Sequence, residues 1–322
     1  MKTFVAGVLA TAACALDASE YEFMQYLTKH GKMYQTVEEF LMRKELYLAK
    51  DIDIKAHNSR PANFTLGHNK FSDWKAEEMN KMLGEKENPE SSNAYCKAPP
   101  SSNASVPSSV NWVEAGMTTP IKDQGACGSC WTFATTETVE SANAIFGSGL
   151  VSLSEQQLVD CVTTDNGCGG GMTYDAYTYL MDHNSYLESD YAYTATDGTC
   201  SYSKSKASDV TLSSYVCVQP QTPAGMKVAV AQQPIAISID AGSTVFHNYT
   251  GGVLDSESCG ISTNHAVGIV GYGTDEASGL EYWLVRNSWG ADWGVDGFIK
   301  IAITEGDGIC AINHRPLYPI VA

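Results

Sequence analysis

The stretch that decides the fold is QGACGSCW, residues 124–131. Its Cys127 and Cys130 form a Cys-x-x-Cys pair, which admits three interpretations. A zinc site needs a second ligand pair at similar spacing, and Cys161 and Cys168 are too far apart for a typical knuckle. A thioredoxin-like redox pair needs a surrounding βαβ pattern, which the sequence lacks. The third interpretation is a catalytic thiol beside a cysteine that forms a disulfide.

A helix is predicted from about Gly128 to Ile145, so Cys130 lies at its N-terminus. The thiolate is the reactive form of cysteine, and a free thiol with a pKa near 8.5 is mostly protonated at acidic pH. The positive end of the helix dipole stabilises a thiolate, and a neighbouring imidazolium lowers its pKa further. We therefore expect the fold to bring a histidine against Cys130.

Two motifs in the C-terminal half supply the partners. His265 lies about 135 residues after Cys130, within NHAVGIVGYG, and Asn287 about 157 residues after it, within NSWG. The remaining histidines lie in no comparable motif, and we predict surface or core roles for them: His30, His57, His68, His183, His247 and His314.

These motifs, in this order, resemble the papain-like cysteine proteases, and the resemblance extends from about residue 38 to about residue 319. It implies an α+β fold of two lobes, a helical lobe plus a β-barrel-like lobe. It also implies hydrolysis of peptide bonds through a thioester acyl-enzyme, without a metal or cofactor.

The resemblance implies a role for each site residue. His265 forms a thiolate–imidazolium pair with Cys130 and protonates the leaving amine. Asn287 orients the imidazole. The side-chain amide of Gln124, with the backbone N–H of Cys130, stabilises the oxyanion. Trp289 shields the hydrogen bond between His265 and Asn287 from water.

The same comparison predicts the residues that bind substrate: Gly170, Gly171, Met172, Thr173, Ser238, Thr263, Ala266, Trp289 and Arg315. Counted without gaps from Cys310, Arg315 falls at the floor of the pocket for the second side chain before the cut. A guanidinium pairs with carboxylates, so we hypothesise tolerance of Glu or Asp at that position. The alternative is that Arg315 extends into solvent and the pocket prefers Leu or Phe.

The ten cysteines are many for a cytosolic enzyme and moderate for a secreted one. The resemblance implies the disulfides Cys127–Cys168, Cys161–Cys200 and Cys259–Cys310, while Cys96 and Cys217 stay unassigned. Each bridge closes a loop of about 40–50 residues and stabilises the fold by a few kcal/mol. Glycosylation is predicted at three sequons: Asn63, Asn103 and Asn248.

The N-terminus predicts a signal peptide over residues 1–15. Lys2 precedes an apolar stretch at 4–12, and Ala13, Cys14 and Ala15 give a small-residue cleavage pattern. The stretch is too short to span a bilayer. We expect entry into the secretory pathway, with a lysosomal, vacuolar or secreted destination.

An inhibitory propeptide is predicted over residues 16–104. A stripe at helical spacing resembles the ERFNIN pro-helix, with Tyr47 in place of Phe and Lys50 in place of Asn: Glu39, Arg43, Tyr47, Lys50, Ile54 and Asn58. Taken alone, the stripe also suits an ordinary amphipathic surface helix. Alternation over residues 67–73 predicts a short strand leading into a turn, and its Gly67, Asn69, Phe71 and Asp73 match the GxNxFxD pattern. The pair resembles cathepsin L-type precursors and implies a propeptide that lies through the cleft and leaves at low pH.

A change of composition marks the main boundary. Residues 84–109 are rich in Asn, Pro and Ser and read as an exposed linker. The mature peptidase is predicted over residues 105–322, with a helical lobe at about 115–210 and a β lobe at about 211–322. Further helices are predicted from 154 and over 172–183, and strands at 235–239, 266–270, 282–286 and 298–301.

Charge excludes one class of function. The formal net charge is −17 over 322 residues, the wrong sign for a nucleic-acid binder. Roughly 23 acidic and 7 basic residues fall in 106–322, against 14 and 12 in 16–105, so repulsion within the C-terminal part weakens as pH falls. Expected partners are protein and peptide substrates, the chain's own propeptide and cystatin-like inhibitors, and we expect a monomer. Two alternatives stay open: an altered member acting as a binding or decoy protein, and a restricted exopeptidase.

Overall fold

The computed structural model describes residues 18–86, 96–97 and 106–322. The predicted signal peptide with Cys14, the sequon at Asn103 and most of the predicted linker lie outside these residues. The helices are α1 (Ala18–Lys29), α2 (Val37–Asn58), α3 (Ala76–Asn80), α4 (Cys130–Phe146), α5 (Glu155–Cys161), α6 (Thr173–Asp182), α7 (Pro223–Val230) and α8 (Thr244–His247). The strands are β1 (Phe64–Leu66), β2 (Cys96–Lys97), β3 (Val110–Asn111), β4 (Leu212–Cys217), β5 (Ile235–Ile239), β6 (Tyr249–Leu254), β7 (His265–Thr274), β8 (Glu281–Arg286), β9 (Phe298–Ala302) and β10 (His314–Val321).

The N-terminal region, here called the prosegment (residues 18–86), folds around its own small core. Thr36 caps α2, because its side-chain oxygen accepts from the backbone N–H of Glu39 at 3.1 Å. Helix α1 packs on α2 through the buried rings of Phe23, Tyr26 and Tyr47. The helix indicated by the stripe from Glu39 to Asn58 is confirmed as α2, whereas α1 was not predicted as a separate element.

The strand predicted over residues 67–73 is wrong. The strand is β1, which ends at Leu66, and turns follow it. Asn69 stabilises the first turn, since its Oδ1 accepts from the backbone N–H of Phe71 at 3.0 Å and its carbonyl accepts from the N–H of Ser72 at 3.0 Å. An asparagine that bonds to the backbone two residues on favours a turn over a ladder, whatever the apolar alternation around it.

One mixed sheet connects the prosegment to the rest of the chain. The strand order is β1-β6-β9-β8-β7-β5-β10-β4-β2, with β3 paired to β7. Strand β1 of the prosegment pairs antiparallel with β6 and forms one edge of this sheet. Prosegment residues also enter the core of the β lobe, which contains Ile54, Phe71, Met82, Trp283 and Trp289. The prosegment is therefore packed as part of the domain that it covers.

The helical lobe has a second core, built on α4. This helix is buried along most of its length and packs through residues such as Trp131 and Val139 against Tyr177 of α6. Ser154 caps α5 by accepting from the N–H of Gln157 at 3.0 Å. The three helices predicted for the helical lobe and the four strands predicted for the β lobe are confirmed. The short helices α7 and α8 of the β lobe were not predicted.

The three implied disulfides are present: Cys127–Cys168, Cys161–Cys200 and Cys259–Cys310. Cys217 is also disulfide-bonded. Among the described helices, none is long and apolar enough to cross a bilayer.

The predicted glycosylation of Asn248 conflicts with the structure. Its side chain is buried at 1% exposure and donates to the carbonyl of Gly67 in the prosegment at 3.1 Å. A glycan on this amide has no room while the prosegment is docked. Asn63 is exposed and donates to Asp255 at 2.6 Å, so glycosylation there stays a prediction.

Candidate active site

The candidate nucleophile, Cys130, is the first residue of α4 and is fully buried. It is the one free cysteine among the residues that the structure describes. Its Sγ accepts from the backbone N–H of Ala266 at 3.5 Å. Burial is the largest cause that raises the pKa of Cys130 to about 12; the nearby charge of Glu85 acts in the same direction, and backbone N–H donors act against it. The thiol is therefore protonated while the prosegment covers it.

The candidate base, His265, begins β7, and Asn287 directly follows β8. The ring Nε2 lies 2.8 Å from Asn287 Oδ1. The backbone N–H of Ser288 donates to that same Asn287 atom at 2.8 Å, which identifies it as the amide oxygen. An oxygen only accepts, so Nε2 carries the proton and Nδ1 is left for chemistry. Within the described residues, the buried Nδ1 has no hydrogen-bond partner.

The surroundings of His265 are apolar. The fully buried ring of Trp289 lies with its centroid 5.0 Å from that of His265, as expected for a shield over the His265–Asn287 bond. Burial lowers the pKa of His265 to about 4, although the bond to Asn287 acts in the opposite direction. The imidazole is neutral above that pH, so the covered site holds a neutral thiol and a neutral imidazole.

The candidate oxyanion residue, Gln124, is fully buried between the lobes. Its Nε2 donates to the carbonyls of Met82 and Cys127, both at 2.8 Å, and its Oε1 accepts from Ser288 at 2.7 Å. A side-chain amide aimed at a carbonyl oxygen is the arrangement that stabilises a developing oxyanion. Here the carbonyl of Met82, a prosegment residue, takes up that donor.

The chain after Met82 continues through the cleft. The carbonyl of Gly84 accepts from Gly171 N–H at 2.9 Å, and Glu85 N–H donates to the carbonyl of Asn264 at 3.0 Å. A side chain at position 84 would collide with the enzyme, because a Cβ there would lie 1.7 Å from Gly128 O. The prediction that the exposed linker begins at residue 84 is therefore wrong for Gly84 and Glu85, which are both buried.

The GxNxFxD residues attach the prosegment to the site. Asn69 donates to the carbonyl of His247 at 2.6 Å. Phe71, 2% exposed, packs edge-on against Trp289 with ring centroids 5.6 Å apart. Asp73 accepts from Tyr26 at 2.7 Å, as well as from Tyr34 and Lys32. The motif thus joins the prosegment core to the tryptophan that covers His265.

The predicted pro-helix stripe makes hydrogen bonds to this motif and to the strand before it. Arg43 donates to the carbonyl of Asp73 at 3.0 Å and to Glu78 at 2.7 Å, and Lys50 donates to the carbonyl of Phe71 at 2.6 Å. Asn58 donates to the carbonyl of Leu66 at 2.7 Å. The interpretation as an ordinary surface helix therefore does not explain these residues.

The predicted substrate-binding residues fall into two groups, and each group contacts the prosegment. The first group is Gly170, Gly171, Met172 and Thr173, which ends at the start of α6, and Gly171 bonds to the prosegment at both its N–H and its carbonyl. The other group contains Ser238 in β5, Thr263 before β7, Ala266 in β7 and Arg315 in β10. Sequence reasoning missed Met82, Gly84 and Glu85, which lie in a short stretch without periodicity and contact the site only in the folded chain.

Comparisons with known proteins agree with this geometry. Residues 106–320 match the family described as "Papain family cysteine protease", and residues 23–79 match the "Cathepsin propeptide inhibitor domain (I29)". The chain belongs to the papain family of cysteine proteases, and it carries the propeptide inhibitor domain of a cathepsin-type zymogen. Proteins of this family are peptide hydrolases.

Individual relatives cover from two thirds to nearly all of this chain. It is 36% identical over 305 residues to "Cysteine protease XCP2" of Arabidopsis thaliana, covering 92% of this chain and 85% of that protein. The structure of digestive procathepsin L 3 from Tenebrio molitor larval midgut matches with a TM-score of 0.85 and 31% identity, covering 95% of this chain and 100% of that one. The bromelain protease of Ananas comosus in complex with the E64 inhibitor matches at 38% identity with a TM-score of 0.63, over 67% of this chain and 99% of that one.

Proposed function

We propose that this chain is an acid-activated cysteine endopeptidase with Cys130 as nucleophile and His265 as base. Once the prosegment leaves, water and substrate reach the site, and the imidazole takes the thiol proton to form an ion pair. The thiolate attacks the peptide carbonyl, and Gln124 with the N–H of Cys130 holds the oxyanion. His265 protonates the leaving amine, and water then hydrolyses the thioester. Asn287 keeps Nδ1 of His265 turned to the sulfur.

The observation that carries this proposal is the set of contacts that the prosegment makes with the site. The carbonyl of Met82 accepts the hydrogen bond that Gln124 would donate to an oxyanion. Gly84 of the prosegment lies against Gly128, two residues before Cys130. A chain segment bonded in this way blocks the positions that a substrate needs. Burial of the covered site also favours the neutral forms of both Cys130 and His265, because it raises the pKa of the thiol and lowers the pKa of the imidazole. The inhibition is thus both steric and electrostatic.

The test is Cys130→Ser. Loss of the thiol removes the covalent route, so turnover should fall by about three orders of magnitude or more, while thermal unfolding of the zymogen stays the same. Labelling of the activated parent by an epoxide thiol inhibitor, located at residue 130 by mass spectrometry, gives the positive control. Substantial turnover by the variant would assign the chemistry to another residue.

Maturation is proposed to follow acidification, by cleavage within the linker close to residues 103–106. The Ser- and Pro-rich composition supports this, and so does the start of the protease family match at residue 106. Mass spectrometry of the chain after a shift to pH 4–5 measures the new N-terminus. A start before Cys96 or beyond Trp112 would contradict the proposal.

The proposed setting is the secretory pathway, ending in a lysosome, in a vacuole or outside the cell, with the enzyme acting as a monomer. The predicted signal peptide and the disulfides support an oxidising compartment. Cystatin-like inhibitors are proposed to bind the cleft left by the prosegment. Size-exclusion chromatography with light scattering tests the monomer, and fractionation of expressing cells tests the destination.

A further inference from the structure

The prosegment places a carboxylate in the pocket beside the nucleophile. The backbone of Glu85 is held from both sides: its N–H donates to Asn264 O at 3.0 Å, and the residues flanking it bond to the two main-chain groups of Gly171. These bonds direct the Glu85 side chain into the cleft, where only 4% of it is exposed. A carboxylate buried without polar partners would strongly destabilise the complex.

The partners of this carboxylate come from the predicted pocket residues. Ser238 donates its hydroxyl proton to Glu85 Oε1. Arg315 Nη1 lies 3.8 Å from the same oxygen, and it also donates to the hydroxyl of Thr263 at 3.3 Å. The pocket therefore presents a hydroxyl donor and a cation to one carboxylate oxygen. The side chain of Arg315 is 31% exposed, so the pairing is partly screened by solvent.

The backbone of β10 accounts for the direction of Arg315. In its pairing with β5, His314 lies opposite Ser238 and Leu317 opposite Ala236, so β10 has one extra residue at this point. Arg315 lies in this bulge with φ at +49°, a left-handed conformation that is uncommon for a non-glycine residue. A bulge redirects a side chain relative to a regular strand. The local fold thus turns the guanidinium toward Thr263 and Glu85.

From this geometry we infer that the Ser238–Thr263–Arg315 pocket of the mature enzyme selects acidic side chains. The family resemblance assigns this pocket to the residue two before the cut, so Glu or Asp should be preferred there. Glu85 acts as the built-in occupant of the same pocket in the zymogen. The inference rests on the proposed endopeptidase function and adds its substrate class. The competing outcome is that Arg315 extends into solvent in the mature enzyme, in which case its loss leaves the preference for acidic side chains unchanged.

The test compares three peptide substrates that differ only in Glu, Gln or Leu at that position. Glu and Gln have the same shape, so the ratio of their kcat/KM values isolates the charge. With enzyme activated from the full-length zymogen and assayed at pH 6, Arg315→Ala should lower the Glu-to-Gln ratio about tenfold, since hydrogen bonds and ion pairs with charged groups contribute at about this level. Lys206→Ala removes an exposed cation elsewhere and should leave the ratio as it is.

The outcomes separate the inference from the proposed function. An unchanged Glu-to-Gln ratio in Arg315→Ala, with the Leu substrate still cleaved, overturns the inference alone. Failure of the parent to cleave any of the three peptides or to be labelled at Cys130 overturns the proposed function. If the variant does not fold, the pH dependence of the parent enzyme gives the test. Its Glu-to-Gln ratio of kcat/KM should fall toward one between pH 6 and pH 4, because the substrate carboxylate, with a pKa near 4.3, becomes protonated. A ratio that does not change with pH overturns the inference.

Discussion

Gly84 is the position where a single methyl group should open the zymogen. The Cβ of an alanine there would lie 1.7 Å from Gly128 O and 2.2 Å from Gly128 C. Gly128 cannot move away easily, because its N–H donates to Cys168 O at 3.0 Å and the Cys127–Cys168 disulfide holds both segments. The prosegment must therefore withdraw from the cleft.

The magnitude follows from the bonds that the withdrawal breaks. Three hydrogen bonds join main-chain groups of residues 82–85 to the enzyme, and the magnitude is counted from these alone: Gly171 N–H to Gly84 O, Glu85 N–H to Asn264 O, and the Gln124 amide to Met82 O. At about 0.5–1.5 kcal/mol each, Gly84→Ala should weaken closure by about 1.5–4.5 kcal/mol. The open fraction of the zymogen should rise about 10- to 2,000-fold.

The assay is the rate at which an epoxide thiol inhibitor labels the uncleaved zymogen at pH 7, followed as a mass shift on the intact chain. The inhibitor reacts only with the open form, so the rate reports the open fraction. Gly251→Ala is the matched control, because a Cβ there meets only Thr65 Oγ1 at an ordinary 3.5 Å. A labelling rate for Gly84→Ala within twofold of the parent would refute the reasoning. Position 84 precedes the proposed cleavage site, so the matured enzymes should be identical.

Three further predictions concern pH. The hydrogen bond from Arg43 is the main cause that lowers the pKa of Glu78 to about 2, so the stability that this pair adds is present above the unfolded value near 4.5 and is lost as pH falls toward 2. Glu78→Gln should therefore lower the zymogen Tm at both pH 7 and pH 4. Calorimetry that shows an effect at pH 7 only would contradict this. Burial lowers the pKa of His68, whose ring stacks on Tyr47 near Asp51, Lys50 and Lys55, so the prosegment loses stability as pH falls below about 6.5. His68→Phe should therefore shift the pH of half-maximal activation to a lower value. An unchanged midpoint would rule out this contribution. Because the covered Cys130 and His265 are both neutral, iodoacetamide at pH 5.5 should alkylate the zymogen far more slowly than the mature enzyme, and equal rates would show that an ion pair already exists under the prosegment.

Much of the candidate site was accessible from sequence, because its chemistry is encoded in residue types at characteristic spacing. The helix that begins at Cys130, the strand that begins at His265 and the Asn287 that follows β8 are where the motifs predict them. The three disulfides also agree with the resemblance. These features depend on local pattern and on motif order, both of which a single chain displays directly.

Other predictions failed where distant residues override local composition. Residues 84 and 85 begin a stretch whose polar composition is typical of a linker, yet Gly84 is buried because Gly128 lies against it. Asn248 reads as a glycosylation site, but Gly67, 181 positions earlier in the chain, accepts its side-chain hydrogen bond. Neither neighbour is visible in a local pattern, since contacts between residues so far apart form only when the sheet and the prosegment assemble.

The sequence by itself determined the class of chemistry: a thiol at a helix N-terminus, an imidazole, an amide to orient it, and a prosegment motif that precedes them. Through the family resemblance, it also predicted Arg315 at the floor of the substrate pocket. Only the tertiary structure decided what that arginine faces, because the bulge in β10 and the path of Glu85 through the cleft meet across a separation of 230 residues. It likewise decided the charge state of Cys130 and His265, since desolvation depends on which atoms exclude water from a side chain. Around His265 these atoms include the ring of Trp289, on which Phe71 of the prosegment packs.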